Sequence, residues 1–318
     1  MTSNPDAHVI TSEHCLAAPC GRRGVSFSSV RLIPIFDTSA IIDLADRKPS
    51  DALWSRLREC IPTRGCPLSF ITALELFDGL SKSGAAHFDD SLKAVNLASR
   101  LSRRRVLLLP IPFIHRELFD VREPAAERSK ENVRRFLGMA QRPHFKDEFM
   151  AGKIAFLEKI EELIVTTRQG YTNYFEAFLD AKFPDWRSQR QRSGHPLPEN
   201  EKEKLKRADR EGWKRDFASR MVGLMSAPTT IGAIDVVNDR CDAYLTHSVS
   251  VMRDALIAGY RFENNSNDFH DGMQLLYLSR PWVCLVTEDT HLIRRVNKSS
   301  QSSRILTIEQ FVSAKSHS

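Results

Sequence analysis

The chain has 318 residues, with 46 Lys and Arg against 40 Asp and Glu, a formal net charge of +6 and a pI of about 9.0. At 42% hydrophobic and 27% charged residues, with no excess of Gly or Pro, it is no chain disordered throughout, and no self-similar period marks a helical repeat. The basic balance fits a polyanionic partner, and the longest apolar run, VLLLPIPFI from Val106, is far too short to span a bilayer.

Residues 1–30 are polar, aperiodic and rich in Ser, Gly and Arg. They read as a disordered tail lacking the basic and apolar regions of a secretory signal. Leu32 to Phe36 is an apolar run ending at Asp37, the pattern of a buried parallel strand, with Pro34 counting modestly against it. Thr38 and Ser39 are N-cap types ahead of a helix over AIIDLADR, and Ser50 to Arg58 predicts a second helix. Pro67-Leu68-Ser69 introduces a third, through Phe70, Leu74, Phe77 and Leu80. Val106 to Ile111, continuous and apolar, predicts the second strand.

From about Pro112 to Ala227 the pattern becomes one of long, charged helices. Met150, Ile154, Leu157, Ile160 and Ile164 form one apolar stripe, and Phe175, Phe178 and Leu179 start another. Ser193 to Asn200 reads as a loop, EKEKLKRADREGWKRDF as a solvated helix, and Ile231 to Gly259 as one or two more helices. Alternation then resumes: NDFHDGMQLLYL (helix), VCLVT (strand), THLIRRV (helix), RILTI (strand) and EQFVSA (helix). The expected fold class is α/β, a parallel sheet flanked by helices. Residues 31–111 and 262–313 form it, interrupted by a long α-helical insertion over 112–261. The two halves must meet to complete one sheet. The six cysteines show no Cys-x-x-Cys spacing and read as reduced thiols of a cytoplasmic protein.

Acidic residues carry the chemistry. Asp37 and Asp289 each follow an apolar strand, which places them on the same rim of a parallel sheet. Glu75 lies one turn into its helix. Asp268 and Asp271, three apart at a helix start, share a side, and Ser266 or Asn267 could cap them. Carboxylates gathered from distant segments repel one another, and such a cluster persists mainly around a cation. Oxygen-only ligands suit Mg²⁺ or Mn²⁺ and phosphoryl chemistry by metal-activated water. Spacing does not decide between Asp268 and Asp271. Asp43, Asp235, Asp239 and Asp242 read as surface charge, Glu288 as solvent-facing, and His115, His270 and His291 as non-ligands.

The segments FDTSAIIDL, SFITALELFDGL, NDFHDGMQLLYL and LVTEDTHLI, with RILTIEQFV at the close, together resemble the PIN-domain (PilT N-terminus) nucleases over residues 32–111 and 262–313. The middle resembles the helical insertions of larger PIN-like proteins. The resemblance implies an acidic tetrad of Asp37, Glu75, Asp271 and Asp289, with Asp268 an accessory and Thr287 hydrogen-bonding the cluster. Asp254 in RDALIAGY also looks like the third motif, but Asp271 lies on the helix directly preceding VCLVTED and is preferred. The implied activity is that of a metal-dependent endoribonuclease, toxin-like, with RNA, a cognate inhibitor protein and a second copy of the chain as partners.

Other readings compete. A non-catalytic PIN-like RNA-binding scaffold would have lost acids that are all present here. A structure-specific DNA nuclease would carry a helix–hairpin–helix element, and none is found. An aspartyl phosphatase would need Asp-x-Asp where Asp37-Thr38-Ser39 stands. Basic clusters at Arg103-Arg104-Arg105, at Arg187, Arg190 and Arg192 beside Trp186, and from Lys202 to Lys214 near Trp213 could track phosphates. The first of these is expected to lie opposite the acidic rim.

Overall fold

A computed structural model of the chain describes residues 32–48, 51–152, 157–194, 196–207, 210–224, 230–258, 260–262 and 267–316. The expected tail over 1–30, with Cys15 and Cys20, lies outside these residues, as do Ile154 and Ser266. The described chain is mainly helical, around a three-stranded parallel sheet. Strand β1 (Ile33–Phe36) leads to helices α1 (Thr38–Asp46), α2 (Ala52–Cys60) and α3 (Phe70–Lys82). Each helix starts where a side-chain oxygen takes an otherwise orphaned amide: Asp37 accepts from Ala40, Asp51 from Leu53 and Ser69 from Thr72. Helix α4 (Gly84–Ser102) stops at Arg103, in the left-handed region. Helices α5 (Pro110–Phe119) and α6 (Pro124–Met139) each open on a proline, whose missing N–H costs nothing there.

Helices α7 (Phe145–Met150), α8 (Leu157–Lys182), α9 (Trp186–Ser193), α10 (Glu199–Arg207), α11 (Arg210–Leu224), α12 (Ile231–Arg240), α13 (Asp242–Ile257) and α14 (Asn267–Leu275) follow. A 3-10 turn (Leu276–Ser279), β2 (Val283–Val286), α15 (Thr290–Val296), β3 (Ile305–Leu306) and α16 (Ile308–Ser316) close the chain. Strand β2 is central. It pairs with β1 from Ile33–Val283 to Phe36–Val286 and with β3 at Leu285–Ile305 and Val286–Leu306, all parallel. The start and end of the chain thus build one sheet, as expected. Pro34 is tolerated because β1 is an edge strand.

Both sheet faces are covered. Ile35, Leu285 and Ile305 join one core with Phe175, Phe178, Phe217, Leu245 and Leu276. Phe36, Cys284 and Val286 join the other with Ile41, Phe70, Phe77, Phe136 and Phe311. Helix α8, about 39 Å long at 1.5 Å per residue, serves both: Ile160 and Ile164 enter the second core, Phe175, Phe178 and Leu179 the first. The segment 112–261 therefore shares its apolar interior with the sheet. Its last helix, α13, packs on α14 and α15.

Several sequence expectations are corrected. Val106 to Ile111 is no strand: Val106 makes one isolated bridge to Leu68, and α5 begins at Pro110. The Leu108 carbonyl, which a ladder would have used, accepts instead from Tyr277 Oη at 2.7 Å. Met150 is exposed rather than part of a buried stripe. The helix expected over EKEKLKRADREGWKRDF is described as α10 and α11, and it is not simply solvated: Lys202 and Lys214 are buried. Asp242 is buried too. It pairs with Lys214 Nζ at 2.6 Å and accepts from Ser300 N at 2.6 Å. Glu288 is half-buried and caps α16 by accepting from Ile308 N at 2.8 Å. Cys60, Cys66, Cys241 and Cys284 form no disulfide among the described residues.

Candidate active site

Asp37 leaves the carboxyl end of β1 and caps α1. It is 3% exposed, and its Oδ1 accepts from Ala40 N at 2.8 Å and Ser39 Oγ at 2.9 Å. Burial pushes its pKa up to about 7, against the opposing hydrogen bonds of Thr287, Ala40 and Ser39, and Glu75 adds repulsion. Asp289 follows β2 three residues beyond its end and, like Asp37, caps the next helix. Its Oδ1 accepts from His291 N at 2.7 Å and Leu292 N at 3.1 Å, capping α15. Thr287 Oγ1 accepts from Asp289 N at 3.0 Å and lies 3.4 Å from Ser39 Oγ, and Ser39 Oγ accepts from Glu288 N at 2.9 Å. These hydroxyls join the two strand ends, with Thr287 in the neighbouring role expected for it.

Glu75 reaches this rim from α3. Thr38 Oγ1 donates to its Oε2, and His270 Nδ1 lies 3.0 Å from its Oε1, where the ring N–H can donate. Thr72, one turn earlier, donates to the Phe36 carbonyl at 3.2 Å and lies 3.2 Å from Gln274 Oε1. The helix carrying Glu75 is thus tied to β1 and to α14.

The two aspartates of α14 have different environments. Asp271 has no hydrogen-bond donor or cationic partner among the described residues. Its pKa is raised to about 9, by burial first and then by repulsion from Glu75, Asp289, Asp37 and Asp268. Asp268 is held by Arg295 Nη1 at 2.5 Å and accepts from Tyr260 Oη at 2.6 Å. The other Arg295 nitrogen, Nη2, pairs with Asp254 at 3.2 Å. Asp268 and Asp254 therefore share one guanidinium, while Asp271 stands among the acids without one.

Close packing sets the position of Asp271. A Cβ on the adjacent Gly272 would lie 2.9 Å from His247 Nδ1, so a glycine is required for α14 to rest on α13. His247 is buried and its pKa falls to about 3, chiefly by desolvation, so the ring is neutral. Sequence reasoning set His270 aside as a non-ligand and did not single out His247, Gly272 or Arg295. One signal existed for His270: it is four residues before Gln274 and seven before Tyr277, on the buried stripe of its helix.

The donor set suits a hard divalent cation. Asp289 Oδ2 and both Asp271 oxygens accept no hydrogen bond within the described residues, so oxygen ligands of the right hardness are available. Among those residues no three His, Cys, Asp or Glu side chains close around a common point. Elsewhere, Trp186 is buried, donates to Asp180 Oδ1 at 2.8 Å and is covered by Arg187, so it offers no platform for a base. No described helix is long and apolar enough to cross a membrane. Comparison of the chain with protein-family models, curated proteins and solved structures finds no match.

Proposed function

We propose that the chain is a metal-dependent endoribonuclease of PIN-like type, hydrolysing phosphodiester bonds of RNA in the cytoplasm. Asp37, Glu75, Asp271 and Asp289 would hold Mg²⁺ or Mn²⁺. The observation that carries this reading is Asp271: half-buried, without a donor among the described residues, and pushed up to about 9 by desolvation first and then by acids from three other segments. A site that unfavourable without a cation is the expected resting form of a cation site. The cation supplies Lewis acidity and lowers the pKa of water beside the phosphate. The chain's own groups orient the ligands: Thr38 and His270 fix Glu75, the amides of α1 and α15 fix Asp37 and Asp289, and Gly272 sets the depth of Asp271. Asp268 supports the site by anchoring Arg295. A toxin-like role with a cognate inhibitor protein belongs to the same proposal.

The test is cleavage of labelled single-stranded RNA and DNA with Mg²⁺, Mn²⁺ or EDTA, by wild type, Asp37→Asn and Asp289→Asn. Metal-dependent RNA cleavage lost in both variants supports the proposal. Cutting of DNA alone moves the substrate to DNA. Activity that survives both substitutions refutes the acidic site. RNA binding without cleavage by folded protein favours a scaffold.

A further inference from the structure

The turn after α4 contains two consecutive non-glycine residues in the left-handed region, Arg103 at φ 47° and Arg104 at φ 59°. Each such conformation costs about 1 kcal/mol or more in a non-glycine residue. Here its effect is to send adjacent guanidinium groups into different grooves. Arg103 lies against Gly65 and lines a groove of about 720 Å³ with Arg58, Lys93 and Arg100, between α1, α2 and the end of α4. Arg104 reaches Gly138 on α6 and lines a second groove of about 530 Å³ with Arg134, Arg135 and Arg142. The first groove has no acidic lining residue and the second has only Glu131. Arg58, Arg100, Arg103 and Arg142 are exposed and have no carboxylate partner among the described residues.

We infer that these two grooves form one binding surface for an extended single-stranded nucleic acid, remote from the catalytic acids. The first groove takes in Leu44, Ala45 and Arg47 at the far end of α1 from Asp37, roughly 10 Å along the helix axis. An occupant that crosses the ridge of Arg103 and Arg104 must be anionic along its length, which a phosphate backbone is. An acidic amphipathic peptide would suit the aliphatic floor of the first groove, Leu44, Ile61, Leu97 and Leu101, but has no counterpart in the polar second one. The identification of the strand as RNA rests on the nuclease proposal, while the surface itself does not.

The experiment uses the full chain in EDTA, with fluorescence anisotropy of a labelled 30-nucleotide RNA measured across a salt series. A poly-glutamate peptide serves as competitor. Arg103→Asn/Arg104→Asn removes both charges with a residue that tolerates the left-handed region. Arg100→Gln/Arg142→Gln removes the flanking charges on helix and turn without touching that backbone. Each pair is expected to weaken RNA binding about tenfold and to lower the log–log salt slope by about 1.4, at about 0.7 per single-strand phosphate contact. Metal-dependent cleavage of a dinucleotide, too short to reach the grooves, is expected to be unchanged. Unaltered RNA affinity and slope in both pairs overturn the inference, as does a peptide whose binding, unlike that of RNA, is lost in the variants. Failure of the nuclease proposal leaves the EDTA binding data intact, so the two failures are distinguishable.

Discussion

Replacing Asp271 with Asn is expected to stabilise the metal-free protein and to remove its response to divalent cations. The side chain keeps its shape and no longer has to take up a proton on folding, a cost that burial sets first and that repulsion from Glu75, Asp289 and Asp37 adds to. An acid whose folded pKa lies above its unfolded one weakens the fold once the pH passes the unfolded value. For Asp271 the penalty therefore grows from 3.8 upward and is complete only above about 9. At about 1.4 kcal/mol per tenfold change in proton affinity, the ceiling near pH 8 is about 6 kcal/mol. Local relaxation and entering water reduce that to about 2 kcal/mol, and to less than about 1 kcal/mol near pH 5. In urea unfolding with EDTA, Asp271→Asn is expected to exceed wild type by that margin near pH 8, with a Tm higher by about 3 °C. Added Mn²⁺ raises the Tm of wild type and not of the variant. A variant no more stable than wild type near pH 8, or one with the same margin at both pH values, refutes the account of the site as unbalanced charge.

Gly272→Ala drives a methyl group against His247 and is expected to cost about 1–3 kcal/mol. Its weaker Mn²⁺ response in thermal unfolding separates it from substitutions far from the site. Arg295→Met leaves Asp268 and Asp254 facing each other without their shared cation, and a loss of about 2–3 kcal/mol in denaturant unfolding is expected. An additional Asp268→Asn substitution recovers part of that loss; no recovery argues against the shared-cation reading. Tyr277→Phe removes the donor to the Leu108 carbonyl and the acceptor for Phe70 N, at about 1–2 kcal/mol by the same assay. A neutral result there would mean that water replaces the hydroxyl at no cost.

Local chemistry along the chain was enough to place most of the frame. The apolar runs ending in Asp37 and before Asp289 and the stripe through Phe70, Leu74 and Phe77 each act over a few residues, and the structure has them as expected. The cap of α1 is Asp37 rather than Thr38 or Ser39, which lie in its first turn. The meeting of the first and last segments in one sheet also followed, because neither half has enough strands to bury its own faces. Local pattern failed at Val106 to Ile111, where an apolar run reads alike as strand or helix start. There Pro110 and the distant hydroxyl of Tyr277 decided the outcome. It also failed to separate Asp268 from Asp271, which share a helix face and a spacing. What distinguishes them is Arg295, from another helix, which neutralises one and leaves the other exposed to three like charges. Proton affinity and pairing depend on groups brought close by packing, through burial and Coulomb forces that sequence separation does not record. The residue types present are a property of the chain, and the environment of each acid is a property of the fold.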